Sequence, residues 1–232
     1  MKNHQPKEPL VTSTDILDLH SLFFTIQGEG IYSGCPAVFV RLAGCTLQCP
    51  FCDTEYTDNR KKVKPQYIVD QVYRAHSHIN YNPVVVITGG EPLRQPIGEL
   101  CDLLVGRGYK VQIETNGTAY QPCVPYDEIS VICSPKMPHV HPKLRPHVTA
   151  YKYVLSADAV NDVDGLPNSA LGLINPKPVA RPPHDFKGPV YIHPMDAHND
   201  IDNLRHQDAA VRSALRHGYT FGLQVHKLIN ME

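Results

Sequence analysis

The sequence has 232 residues, enough for one large domain, or two small ones, with a buried core. Lys and Arg total 22 against 23 Asp and Glu, so no charge excess points to nucleic acid or an anionic membrane as partner. No apolar run approaches the ~20 residues of a membrane span, and the start MKNHQPKEPLVTSTD has no apolar signal core, so the expected location is the cytoplasm.

In chain order, residues 1–18 are polar and read as a flexible N-terminal arm, with a single domain over 19–232. A β-branched run predicts a strand at Ala37–Leu42, then a helix at Pro65–Ile79 with Ile68, Val69, Val72 and Ile79 near one face. Strands follow at Val84–Thr88, Lys110–Thr115 and Ser130–Cys133, with a helix at Pro96–Arg107 before the second of them. Further strands are expected at Lys152–Ser156, Gly172–Asn175, Val190–His193 and Phe221–Val225. Residues 175–189 are proline-rich and read as an irregular connection. The last helix, Asn199–His217, has Asn199 as its cap and Asp200 and Asp202 in its first turn. Gly108 and Gly218 stand where helices stop. Strand–helix alternation predicts an α/β fold with a parallel sheet. The helices are too few for a complete eightfold barrel, so an incomplete, partial barrel or open curved sheet is expected.

Seven cysteines are present and three of them crowd into Cys45-Thr46-Leu47-Gln48-Cys49-Pro50-Phe51-Cys52. In a reducing compartment such crowding indicates a metal or redox site rather than a disulfide framework. Thiolates are soft ligands suited to iron–sulfur clusters. Three of them on one loop hold three corners of a [4Fe–4S] cubane and leave the fourth iron open to chemistry. A zinc site closed by Cys35 or a histidine is the competing reading, but no second ligand pair is present. Cys101, Cys123 and Cys133 are scattered and read as structural. Arg41 shares a strand face with Phe39 and Ala43, opposite Val38, Val40 and Leu42. An arginine so placed needs a partner. A bidentate substrate carboxylate is one candidate, and a salt bridge to Glu29 or Glu114 is the other.

The C-x3-C-x2-C spacing with Phe51-Cys52-Asp53 and the later Thr88-Gly89-Gly90-Glu91-Pro92 resemble the radical S-adenosylmethionine (SAM) superfamily. Phe24-Thr25-Ile26-Gln27-Gly28-Glu29-Gly30, Phe39-Val40-Arg41-Leu42-Ala43-Gly44-Cys45 and Cys52-Asp53-Thr54 narrow the likeness to the 7-carboxy-7-deazaguanine synthase family. So do Ile113-Glu114-Thr115-Asn116-Gly117, Ser134-Pro135-Lys136, Pro194-Met195-Asp196 and the tail from Gln224 to Asn230. The resemblance runs from about Leu19 to the C-terminus and leaves the arm outside.

That resemblance implies a partial barrel, usually homodimeric, holding a [4Fe–4S] cluster, SAM and Mg2+. It implies ring contraction of 6-carboxy-5,6,7,8-tetrahydropterin to 7-carboxy-7-deazaguanine with release of ammonia, with electrons from a donor such as flavodoxin. By the same resemblance Cys45, Cys49 and Cys52 ligate the cluster, and no other catalytic side chain is expected. Phe51, Cys52, Asp53, Gly90, Ser134, Pro135, Lys136, His193, Pro194, Met195 and Asp196 match SAM-contacting stretches, although the family often has Gln where His193 stands. Ile26, Gln27, Gly28, Arg41, Thr88 and the terminal Glu232 match substrate contacts, and Thr54 a magnesium ligand. The Met231-Glu232 ending departs from the family's usual proline or alanine. Without the resemblance, Lys136 reads as a solvated lysine and Thr54 as a turn residue bonded to local backbone. A radical SAM activase acting on a partner protein would share the cysteine loop and the Gly-Gly motif but not the Gln27 and Arg41 pocket. A non-catalytic metal-stabilised binding module is the remaining alternative.

Overall fold

Side-chain alternation divides the central strands into two faces. The structure, a computed structural model, describes residues 3–175, 177–229 and 231. The first strand, β1 (Leu17–Ile26), pairs antiparallel with both β2 (Pro36–Leu42) and β3 (Lys61–Val63). From β2 onward the pairing is parallel, through β4 (Val84–Gly89), β5 (Val111–Thr115), β6 (Ser130–Cys133), β7 (Ala150–Leu155), β8 (Val190–Pro194) and β9 (Thr220–Phe221). Among the described residues these strands form one sheet in the order β3-β1-β2-β4-β5-β6-β7-β8-β9. It ends in two separate edge strands and does not close, as expected of an incomplete barrel.

One face carries Val38, Val40, Leu42, Val85 and Ile87, all fully buried. They pack with Ile68, Val69 and Val72 of helix α1 (Pro65–Ala75) and Leu100 and Leu104 of α2 (Gly98–Gly106) in the main apolar core. Each such side chain contributes about 1.5–3 kcal/mol by leaving water. The other face presents Ala37, Phe39 and Arg41 from β2, and it is here that polar residues gather. Helix α3 (Asp200–His217) is capped as expected: the Asn199 side chain accepts from the N–H of Ile201 at 3.0 Å and of Asp202 at 3.1 Å. Such a cap contributes about 1 kcal/mol. Gly218 stops the helix with a left-handed φ of +74°. No helix of the described residues is long and apolar enough to cross a membrane.

Several sequence expectations change. Gly172–Asn175 is not a strand, because Leu171 and Gly172 both take left-handed φ, +50° and +74°. That loop instead covers the cysteine loop: Phe51 N–H donates to Leu171 O at 3.1 Å. Phe221–Val225 is extended only in β9, after which Gln224 leads into a short helix, α4 (Val225–Leu228). Helix α1 stops four residues early, where His76 turns inward to meet the Tyr109 hydroxyl at 2.8 Å. Among the described residues, 3–18 do not form a free arm. Leu17 and Asp18 already belong to β1, and residues 3–11 are hydrogen-bonded along the cysteine loop.

Candidate active site

The cysteine loop leaves the end of β2 through Gly44, at φ +79°, and lies against the end of β4. A Cβ on Gly90 would stand 2.3 Å from Gly44 O and 2.7 Å from the Cys45 Cβ, so this position has room only for glycine. Cys45, Cys49, Leu47 and Tyr56 form a small buried cluster, with Cys52, Met137, Leu171 and Leu173 against it. The three cysteines are free thiols. Burial pushes Cys45 up to about 12 and Cys49 up to about 11, and it raises Cys52 as well. Repulsion from neighbouring cysteines adds to this at Cys45 and Cys49 and repulsion from Asp53 at Cys52, while Lys136 opposes the rise at Cys49 and Cys52.

Buried thiols that resist ionisation by themselves are a donor set that a cationic iron–sulfur group would satisfy. Two N–H groups already aim at sulfur: Leu47 N at 3.4 Å and Asn116 Nδ2 at 3.8 Å from Cys45 Sγ. Among the described residues no three His, Cys, Asp or Glu side chains converge as ligands of one metal ion. Thiolates at separate corners of a cubane need no such convergence, so the residues fit a cluster. Glu91, buried and pushed up to about 7 by that burial, braces the loop's neighbour. Its carboxyl accepts from Thr115 Oγ1 and Asn116 N, each at 2.7 Å, tying the end of β4 to that of β5.

The polar face of the sheet gathers a second group at the same C-terminal strand ends. Arg41 sits beside Thr88 in the β2–β4 register. Its guanidinium lies 5.3 Å over the Phe23 ring, and its buried Nε has no hydrogen-bond partner. The salt bridge to Glu29 or Glu114 does not form. Those two carboxylates hold Lys152 instead, each at 2.5 Å from Nζ. The ammonium keeps Glu29 well below the usual carboxylate range although burial opposes it, and the two carboxylates raise Lys152 against its own burial. Gln27 Nε2 donates to Glu114 at 3.0 Å, Gln112 Nε2 to Glu114 at 3.1 Å, and Gln224 Nε2 to Glu29 at 2.7 Å. His193 faces this network, with both ring nitrogens buried and unpartnered. Arg41 Nε, the His193 nitrogens and Gln112 Oε1 are therefore polar atoms without partners on one face of the sheet, and buried polar groups ordinarily have them.

A family model described as the radical SAM superfamily matches residues 40–134, which hold the cysteine loop, the Gly-Gly turn, Glu91 and Glu114. The 7-carboxy-7-deazaguanine synthase of Rhodospirillum rubrum is 39% identical, the alignment covering 92% of each chain. That of Rickettsia prowazekii is 36% identical over 100% of this chain and 96% of the relative. The chain belongs to the 7-carboxy-7-deazaguanine synthase family. The Rickettsia alignment takes in the first residues too, so the likeness is not confined to the part after Leu19. The crystal structure of QueE from Escherichia coli shares the fold, with a TM-score of 0.67 at 22% identity over 90% of this chain and 94% of that one.

Within this family member, the other expected site residues are spread over several strand ends and loops. Phe51 is exposed and lies against Gly172, while Asp53 is exposed beside the loop. Thr54 Oγ1 donates to Asp53 at 3.2 Å, which leaves its oxygen lone pairs free. Ser134 follows β6, with its N–H on Thr115 O, Pro135 is buried, and Lys136 Nζ folds back to the Ser134 hydroxyl at 2.7 Å. Pro194 ends β8, and Met195 N–H donates to Leu155 O. Asp196 accepts from Asn203, His198 N and Lys227, which ties the start of α3 to the tail. Ile26 and Gly28 lie at the end of β1. The His226 ring fills the space where a Gly28 side chain would sit, and Val225 N–H donates to Gly28 O. His193 lies with the Glu29–Lys152–Glu114 network rather than beside the cysteines. Glu232 lies outside the described residues. Sequence reading weighed Glu29 and Glu114 only as partners for Arg41, and it missed Lys152 and Gln224. A signal existed: Ala150-Tyr151-Lys152-Tyr153-Val154-Leu155 places one lysine inside an otherwise apolar strand.

Proposed function

We propose that this chain is a 7-carboxy-7-deazaguanine synthase, converting 6-carboxy-5,6,7,8-tetrahydropterin to 7-carboxy-7-deazaguanine with release of ammonia. Cys45, Cys49 and Cys52 hold a [4Fe–4S] cluster, and the stretches at Phe51–Asp53, Gly90, Ser134–Lys136 and Pro194–Asp196 line the SAM side. When bound, the cluster supplies the electron that cleaves SAM and opens hydrogen-abstraction chemistry. The chain's own part is to hold the pterin. Arg41 meets the substrate carboxylate with its planar fork. Thr88 stands beside it, and Gln27, Glu29, Glu114 and His193 offer acceptors and donors to the ring nitrogens and amino group. Thr54 would hold a magnesium ion through its hydroxyl oxygen, and the ion would supply charge to orient the substrate. An electron donor such as flavodoxin, a homodimer and a cytoplasmic location complete the reading.

The observation that carries it is the unpartnered Arg41 Nε, four residues before the first cluster cysteine and beside an acid–lysine network. The test is anaerobic binding of the carboxylated tetrahydropterin against the same pterin lacking its carboxylate. The carboxylated ligand should bind at least about tenfold tighter, the scale of a charge-assisted hydrogen bond. Arg41→Lys should lose much of that preference and Arg41→Ala all of it. Equal affinity for the two pterins, unchanged in Arg41→Ala, would remove the assignment.

A further inference from the structure

We propose that residues 3–11 are a built part of the cluster site, with Asn3 and Gln5 acting as positioning residues for the cysteine loop. This rests on the cluster reading above. The cysteine loop lies outside regular structure over most of its length, so its backbone groups need partners from elsewhere. The N-terminal segment provides them one after another. Asn3 N–H donates to Pro50 O at 2.8 Å and Asn3 Nδ2 to Cys49 O at 3.1 Å. Glu8 N–H donates to Cys45 O at 2.8 Å. Gln5 clamps both sides of Glu55: its Nε2 donates to Thr54 O at 2.9 Å, and its Oε1 accepts from Tyr56 N at 2.7 Å. In the iron-free thiol form Cys52 Sγ donates to the same Thr54 O at 3.6 Å, so the carbonyl that Gln5 holds lies next to the third cysteine.

The segment is fastened at its far end. Val11 N–H donates to Arg94 O and Gln121 Nε2 to Val11 O, at 2.8 and 2.9 Å. Glu8 pairs with Arg60 and with the buried Arg94, and Arg94 Nη1 also donates to Pro9 O. Pro6 and Pro9 restrict the backbone on either side of the Cys45 contact. By contrast, among the described residues no residue before Leu17 belongs to any of the apolar clusters. The segment grips the loop by hydrogen bonds and adds little to the hydrophobic core. Its loss should therefore loosen the cysteines without unfolding the chain.

The test compares the iron-loaded parent with Asn3→Ala/Gln5→Ala and with Gln5→Glu. The latter keeps the acceptor for Tyr56 N and loses the donor to Thr54 O. Three quantities are read: the rate of cluster bleaching in air, the change in the reduced cluster's electron paramagnetic resonance on adding SAM, and the melting temperature of the iron-free protein. The double variant removes three side-chain hydrogen bonds to the loop and should bleach at least about tenfold faster. Its SAM response should be weakened, its iron-free melting temperature should stay near that of the parent, and Gln5→Glu should fall between. Parent-like bleaching and SAM response in the double variant would overturn the proposal, as would bleaching that merely follows a lowered iron-free melting temperature. A parent that takes up no iron overturns the cluster reading itself, and this inference with it.

Discussion

His193 is 1% exposed, and neither of its ring nitrogens has a hydrogen-bond partner. Burial lowers its pKa below the ordinary histidine value of 6.5, with Lys152 and His226 acting in the same direction and Glu29 and Glu114 against it. Below that value the unfolded chain takes up a proton that the folded chain resists. The folded state therefore binds fewer protons, and stability falls as pH is lowered from 6.5 toward the depressed value. Urea midpoints of the iron-free protein at about pH 7.5 and about pH 5.5 lie on either side of the ordinary histidine value where this loss begins. The parent should lose stability across it, and His193→Gln, which cannot take up the proton, should lose less. An equal loss in both would show that His193 contributes nothing to the slope. At this scale the cysteine triad was legible because ligand spacing on one loop is local information. The partner of Arg41 was not, because parity places the side chain on a face but does not say which carboxylate reaches it. Glu29 and Glu114 go to Lys152, whose place depends on β7 lying two strands from β5 in the sheet.

The strand ends and the segments laid over them form the next scale. The end of β4 and the cysteine loop approach so closely that Gly90 has no space for a side chain. Gly90→Ala should cost about 1–3 kcal/mol, the range of an overpacked core position. It should also reduce iron uptake, because the obstructing atoms belong to Gly44 and Cys45. Denaturant unfolding of the iron-free variant and iron counting after reconstitution check the two halves. A variant as stable as the parent and holding as much iron would contradict the close fit. The parallel strands were legible in the sequence because their buried runs, such as Val84-Val85-Val86-Ile87, are nearly continuous. The covering segments were less so. The loop at Gly172 carries a short apolar run resembling a strand, but two successive left-handed φ values break it where Gly172 lies against the Phe51 ring. The N-terminal segment is mostly polar, and what orders it is the unpaired backbone of a loop some forty residues away in sequence.

Across the whole molecule, the parallel sheet brings Arg41, Thr88, Glu114, His193 and the cysteine loop to the C-terminal ends of its strands. Ligand sites on α/β sheets form at that edge, where loops of different strands converge. The sheet face opposite Arg41 carries helices α1 and α2 and the apolar core. An open sheet suits this arrangement, because the missing closure leaves the strand ends accessible while the N-terminal segment, the 171–173 loop and the C-terminal tail wrap over them. The central claim is that cluster and polar face act together on one carboxylated pterin. Its most direct test is anaerobic incubation of the iron-loaded chain with 6-carboxy-5,6,7,8-tetrahydropterin, SAM, magnesium and a reductant, followed by mass analysis. The account predicts 7-carboxy-7-deazaguanine and ammonia from the parent and none from Cys49→Ala. Unchanged pterin from the iron-loaded parent, or the same product from Cys49→Ala, would contradict it.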